Sequence, residues 1–134
     1  MIDLIEVFDR ADRGLLISDT DYYMGRFVPK LAEVILRHGI KWDKKTIVNT
    51  DDDLADRVFQ AAIDLLAETG VYCADTSRVM DFTRDEILRA VEQSPRQTKF
   101  GEGREAKTMY GRSVDDPSRP WIHIGGGIYT TDER

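Results

Sequence analysis

The chain has 134 residues, a formal net charge of −6, 41% hydrophobic and 33% charged residues, and one cysteine. That length suits a single domain of common size with one modest core. The acidic balance excludes a nucleic-acid binder, which needs a basic face. The lone cysteine excludes an internal disulfide and points to a reducing cytoplasm. No stretch approaches the roughly 18 apolar residues of a membrane span, and the acid-bearing start, Met-Ile-Asp-Leu-Ile-Glu, lacks the apolar run of a signal peptide.

In chain order, Leu4, Ile5 and Phe8 predict a short amphipathic helix at the start. Phe27, Leu31, Val34 and Ile35 recur on one helical face, and Pro29 must either start this helix or kink it. Gly39 closes it as a C′ residue, with Arg37 and His38 placing positive charge in the last turn. Thr50 is the expected N-cap of the third helix, and Asp51, Asp52 and Asp53 complement its dipole. Leu54, Val58, Ala62, Leu65 and Leu66 form its apolar stripe, with Asp56, Arg57, Gln60 and Asp64 opposite, and Gly70 stops it. Thr83 and Glu86 open a fourth helix as a capping box; it should bury Ile87, Leu88 and Val91 and end before Pro95.

The character changes at Pro95. The helical part, residues 1–95, carries a net charge of −7 and the remainder +1. Beyond Pro95 glycines punctuate short alternating runs. Thr98 to Phe100, Thr108 to Tyr110 and Trp121 to Ile124 read as strands, with turns at Gly101, Gly103 and Gly111. Asp115-Asp116-Pro117 and Arg119-Pro120 mark a loop. The fold class is therefore α+β: a helical region of about four helices over residues 1–95, then a small antiparallel β element over 96–134.

The connector Tyr72-Cys73-Ala74-Asp75-Thr76-Ser77-Arg78 concentrates an acid, two hydroxyls, a base and the only cysteine. A nucleophilic cysteine needs a base to form thiolate. His38 and His123 are both distant in sequence, so an ordinary buried thiol is the better reading. Asp75, Thr76 and Ser77 are expected to fix a turn between two capped helices through side-chain-to-backbone bonds, with Asp75 as a cap-like acceptor. Asp51 to Asp53 lack the spread of oxygen ligands and the turn glycine of a calcium loop. His38 and His123 lack the partners of a zinc site. Gly101-Glu-Gly103-Arg lacks the Gly-Lys-Ser/Thr ending of a phosphate loop. Arg104 and Arg112 are of a type that grips anions, but read better as surface arginines.

Taken together, Gly70-Val-Tyr72-Cys73-Ala-Asp75-Thr76-Ser-Arg78 and Thr83-Arg-Asp-Glu86-Ile resemble the N-terminal region of monomethylamine methyltransferases, the pyrrolysine-containing methylamine:corrinoid protein methyltransferase family. Phe8-Asp-Arg-Ala11, Pro29, Phe59 to Gly70, Gly101-x-Gly-Arg-x-Ala106, Arg112-Ser-Val-x-Asp116 and Pro120 extend the resemblance in order along nearly the whole chain. Ser77 departs from the bulkier family residue, and Lys107 to Gly111 is looser than the family pattern. The resemblance implies the preamble to a TIM-type barrel and a family reaction that transfers a methyl group from monomethylamine to the cobalt of a cognate corrinoid protein. It also implies a cytoplasmic, homo-oligomeric enzyme.

The family's catalytic residues are expected beyond Arg134. No residue of this chain is assigned to catalysis, a cofactor or a metal, and Gly70, Tyr72, Cys73, Asp75, Thr76, Arg78, Thr83 and Glu86 form a structural motif. The alternative to an enzyme portion is a free-standing interaction module that binds the full-length enzyme or its corrinoid protein. A small cysteine hydrolase or redox protein is a third reading and requires a reactive Cys73.

Overall fold

The computed structural model describes residues 3–113 and 116–120. The chain divides into two units, Met1–Ser94 and Pro95–Arg134. In the first, helix α1 (Leu4–Arg13) starts at Asp3, whose carboxylate accepts the Ile5 N–H at 3.1 Å, and ends at Gly14. Strand β1 (Leu15–Leu16) follows. Asp21–Phe27 form a π-helical segment that runs into α2 (Val28–Arg37). Pro29 sits in the first turn of α2, where proline's missing donor costs little. The wide turn before it gives its ring room that a continuous α-helix would not.

Helix α2 closes as expected. Gly39 takes the left-handed conformation at φ +59°, its N–H reaches the Leu36 carbonyl at 3.2 Å, and the Ile40 N–H reaches Ile35 at 3.0 Å. This pair of bonds is the Schellman arrangement. Helix α3 (Asp52–Thr69) is capped by Asp51, not by Thr50: the Asp51 carboxylate accepts the Leu54 N–H at 3.1 Å. With three aspartates in succession, the one that reaches the third helical N–H takes the cap.

The connector after α3 is not a simple turn between helices. Strands β2 (Val71–Cys73) and β3 (Arg78–Met80) form a hairpin, and β1 adds to it in the antiparallel order β1-β3-β2. Leu15 pairs with Val79, and Tyr72 pairs with Val79 from the other side. Helix α4 (Arg84–Glu92) carries the predicted capping box with both halves formed. In the second unit, β4 (Gln97–Phe100) and β5 (Lys107–Tyr110) pair antiparallel around a 3₁₀ turn at Gly103–Glu105. The α+β class therefore holds. The expected strand at Trp121 to Ile124 lies outside the described residues, as does His123.

The core sits where α2, α3, α4 and the central strand meet. Tyr22, Val34, Ala61, Ile63, Val79 and Ile87 are buried, together with Thr69, whose hydroxyl donates to the Leu65 carbonyl at 2.7 Å. Several residues expected inside are not. Val58 is 45% exposed and Val91 48%, and Ala62 is exposed. Leu4, Ile5 and Phe8 of α1 are also exposed. No helix among the described residues is long and apolar enough to cross a membrane.

Candidate functional site

Gly70 ends α3 at φ +67°, and a Cβ there would meet the Met80 carbonyl and the Val79 Cγ1 at 2.7 Å. Only glycine lets α3 turn directly into β2 with β3 this close. The Gly70 carbonyl accepts the Tyr22 hydroxyl at 3.0 Å. The Tyr22 ring stacks on Tyr72 with centroids 5.1 Å apart. Tyr72 thus anchors the hairpin to the π-helical segment, an arrangement in which aromatic burial and one satisfied hydroxyl act together.

The hairpin turn reaches across to the end of α1. The Thr76 hydroxyl donates to the Ala11 carbonyl at 2.7 Å, and an Arg78 Nη donates to the Gly14 carbonyl at 2.6 Å. The last carbonyls of a helix have no partners within it, and these two side chains supply them. Ser77 holds a left-handed φ of +52°, and its carbonyl accepts the Ile17 N–H at 3.0 Å. The turn is therefore a clasp that joins α1, β1 and the hairpin.

Asp75 does not have the expected acceptor role. It is exposed and makes no side-chain hydrogen bond among the described residues; Thr76 holds the turn instead. Cys73 is half-buried rather than buried. Side-chain and backbone hydrogen bonding at Thr76, and then the Asp75 backbone, hold its thiol below the usual value. No hydrogen bond links it to His38, which caps α2 and lies 2.9 Å from the Asp64 carboxylate. Burial pushes Asp64 up, but hydrogen bonds from His38 and Arg84 outweigh it and leave the carboxyl below its usual range.

The two remaining motif residues close the other side. The Thr83 N–H donates to Glu86 Oε2 at 2.7 Å, and the Glu86 N–H donates to Thr83 Oγ1 at 3.3 Å. Glu86 also takes a forked contact from Arg10, whose Nη1 donates to the Asp81 carbonyl at 2.8 Å. The Arg10 guanidinium lies 4.9 Å from the centre of the Phe82 ring. Hydrogen bonds from Arg10 and then from the Thr83 backbone pull the Glu86 carboxyl down to about 2. Arg26 adds a bond to Asp81 at 2.9 Å.

Sequence reasoning did not single out Gly14, Tyr22 or Arg26, and met Arg10 only within the Phe8 to Ala11 stretch of the family resemblance. The only local signals were the basic residues ending α1 and the glycine after them. In the second unit, Arg112 donates to the Asp116 carbonyl at 2.5 Å, and Arg104 is exposed in the 3₁₀ turn. No group of three or more potential metal ligands converges among the described residues. The connector thus brings Thr76 and Arg78 to the end of α1, where they satisfy backbone carbonyls.

A helix-and-hairpin scaffold held by such a clasp defines a class of α+β chain, and comparison with known proteins gives it a family. A profile described as Monomethylamine methyltransferase MtmB matches residues 2–132. Monomethylamine methyltransferase MtmB of Methanosarcina mazei is 32% identical over 123 residues, covering 92% of this chain and 27% of the relative. MtmB1 of Methanosarcina barkeri is 31% identical over the same length and shares. The crystal structure of the M. barkeri enzyme superposes with a TM-score of 0.74 at 31% identity, over 82% of this chain and 24% of that one; the hydroxylamine complex of MtmB matches equally. The chain belongs to the MtmB monomethylamine methyltransferase family. It spans about a quarter of the length of the curated relatives it matches.

Proposed function

We propose that this chain supplies the helical and hairpin portion that precedes a TIM-type barrel in a monomethylamine methyltransferase, and that it does not catalyse by itself. In this reading the whole enzyme moves a methyl group from monomethylamine to the cobalt of a cognate corrinoid protein in the cytoplasm, as a homo-oligomer. The barrel would carry the pyrrolysine and the reacting groups, since barrel enzymes place their sites at the C-terminal ends of the barrel strands. This chain binds no cofactor in that scheme; the corrinoid belongs to the partner protein.

The observation that carries the reading is the use made of the family-like connector. Its hydroxyl and guanidinium, on Thr76 and Arg78, are committed to the carbonyls of Ala11 and Gly14. Groups engaged in this way hold a fold together rather than present donors to a substrate. The test is a methyl-transfer assay with the purified 134-residue chain, monomethylamine and a reduced methylamine corrinoid protein, read by corrinoid absorbance. The expected result is no methylcobalt formation above the protein-free rate. Sustained turnover by the chain alone would overturn the proposal.

A further inference from the structure

Helices α2 and α3 leave an open groove of about 240 Å³ between them, lined by Leu31, Val34, Ile35, Val58, Ala62 and Leu65, with no charged residue in its lining. Ile40 also lines it, and the loop that starts there carries Trp42, Ile47 and Val48 at 76%, 99% and 73% exposure. The groove and these three side chains leave apolar surface in solvent in a unit that fully buries few large side chains. The charged residues that join α2 to α3 already have partners: Lys30 and Arg37 pair with Glu68, and Asp64 lies within hydrogen-bond distance of His38. The groove lining therefore offers a ligand no charge, whereas the loop also carries Lys41, Asp43, Lys44 and Lys45. An exposed apolar patch rimmed by polar residues is typical of a protein contact.

We infer that this groove is the docking surface for the remainder of an MtmB-type polypeptide, which covers it with an apolar face of its own. The inference rests on the family role proposed above. The occupant follows from the length of the relatives: about three-quarters of each lies outside the match to this chain. A second copy of this chain fits less well, because each copy carries a net charge of −6 and like charges oppose association.

The experiment co-expresses the tagged 134-residue chain with M. barkeri MtmB1 lacking the 123 residues that match it. Co-purification is compared for the wild type, for Val58→Glu in the groove, and for Leu4→Glu on the exposed face of α1. Val58 is 45% and Leu4 66% exposed, and circular dichroism confirms that each variant folds. The expected result is near-equimolar recovery with the wild type and Leu4→Glu, and at least tenfold lower recovery with Val58→Glu. Equal recovery with Val58→Glu overturns the groove assignment and leaves the family role standing. No recovery with any version, with the truncated MtmB1 soluble and folded by circular dichroism, overturns the family role proposed above. A dimer of the chain alone in sedimentation, dispersed by Val58→Glu, assigns the groove to a second copy and also overturns the inference.

Discussion

Arg10, near the end of α1, and Glu86, in the first turn of α4, lie 76 residues apart in the chain and form a forked ion pair, with Nη2 to Oε1 at 2.5 Å and Nη1 to Oε2 at 3.3 Å. Both side chains are mostly shielded, at 20% and 17% exposure. The same carboxylate completes the α4 capping box. One side chain therefore starts α4 and ties it to α1. Arg10→Ala is expected to destabilise the chain by about 1.5–3 kcal/mol, the range for hydrogen bonds to charged groups. Arg10→Lys should recover only part of this, because lysine cannot reproduce the fork. Urea denaturation midpoints of the two variants check both statements.

Acid should loosen the same contacts. The Glu86 and Glu68 carboxyls are each held down at about 2, Glu86 by Arg10 first and Glu68 by Arg37 first, against an ordinary value of 4.5. A depressed folded pKa gives stability that is fully present above the unfolded value and is lost as pH falls toward the folded one. Stability should therefore decline between about pH 4.5 and pH 2. Glu86→Gln should flatten that decline, and thermal unfolding measured across the window will show whether it does.

The hairpin turn separates two neighbouring residues by role. Thr76→Val removes the donor to Ala11 and leaves that carbonyl unpaired, at an expected cost of about 1–2 kcal/mol. Asp75→Ala should stay within about 0.5 kcal/mol of the wild type, as surface substitutions do. A larger loss from Asp75→Ala than from Thr76→Val in chemical denaturation would reverse the assignment.

Gly14 is a matter of space. A Cβ there would lie 2.0 Å from the Val79 carbonyl oxygen. No flexible side chain can yield at that point, so α1 or β3 must shift. Gly14→Ala should cost at least the roughly 1–3 kcal/mol typical of overpacking. An unchanged melting temperature would contradict the close approach of α1 to β3.

Much of this arrangement was legible in the sequence where the signal is local. Thr83 and Glu86 lie within one helical turn, so their reciprocal caps can be read directly. Gly39 and Gly70 mark helix ends because few other residues take a positive φ. The alternation around Gly101 and Gly103 located the β4–β5 hairpin. The three-stranded sheet was not legible. Its strands have two or three residues, too few for a period, and β1 pairs with residues more than 60 positions away. The stripe on α3 was displaced for a different reason: periodicity shows that a face is apolar, not what covers it, and Val58 and Ala62 face the open groove. The family itself was legible from the order of several weak motifs, none of which is specific alone. The use of Thr76 and Arg78 as partners for the end of α1 was not, because both acceptors are backbone carbonyls.

The central claim is that the Gly70 to Arg78 connector is a clasp that docks α1. Native-state hydrogen exchange on Arg78→Met tests it most directly, since this change removes the donor to the Gly14 carbonyl while keeping an unbranched side chain. The account predicts that amide protection in α1, residues 4–13, falls at least tenfold, while protection in α3, residues 52–69, changes little. Unchanged protection in α1 would contradict it.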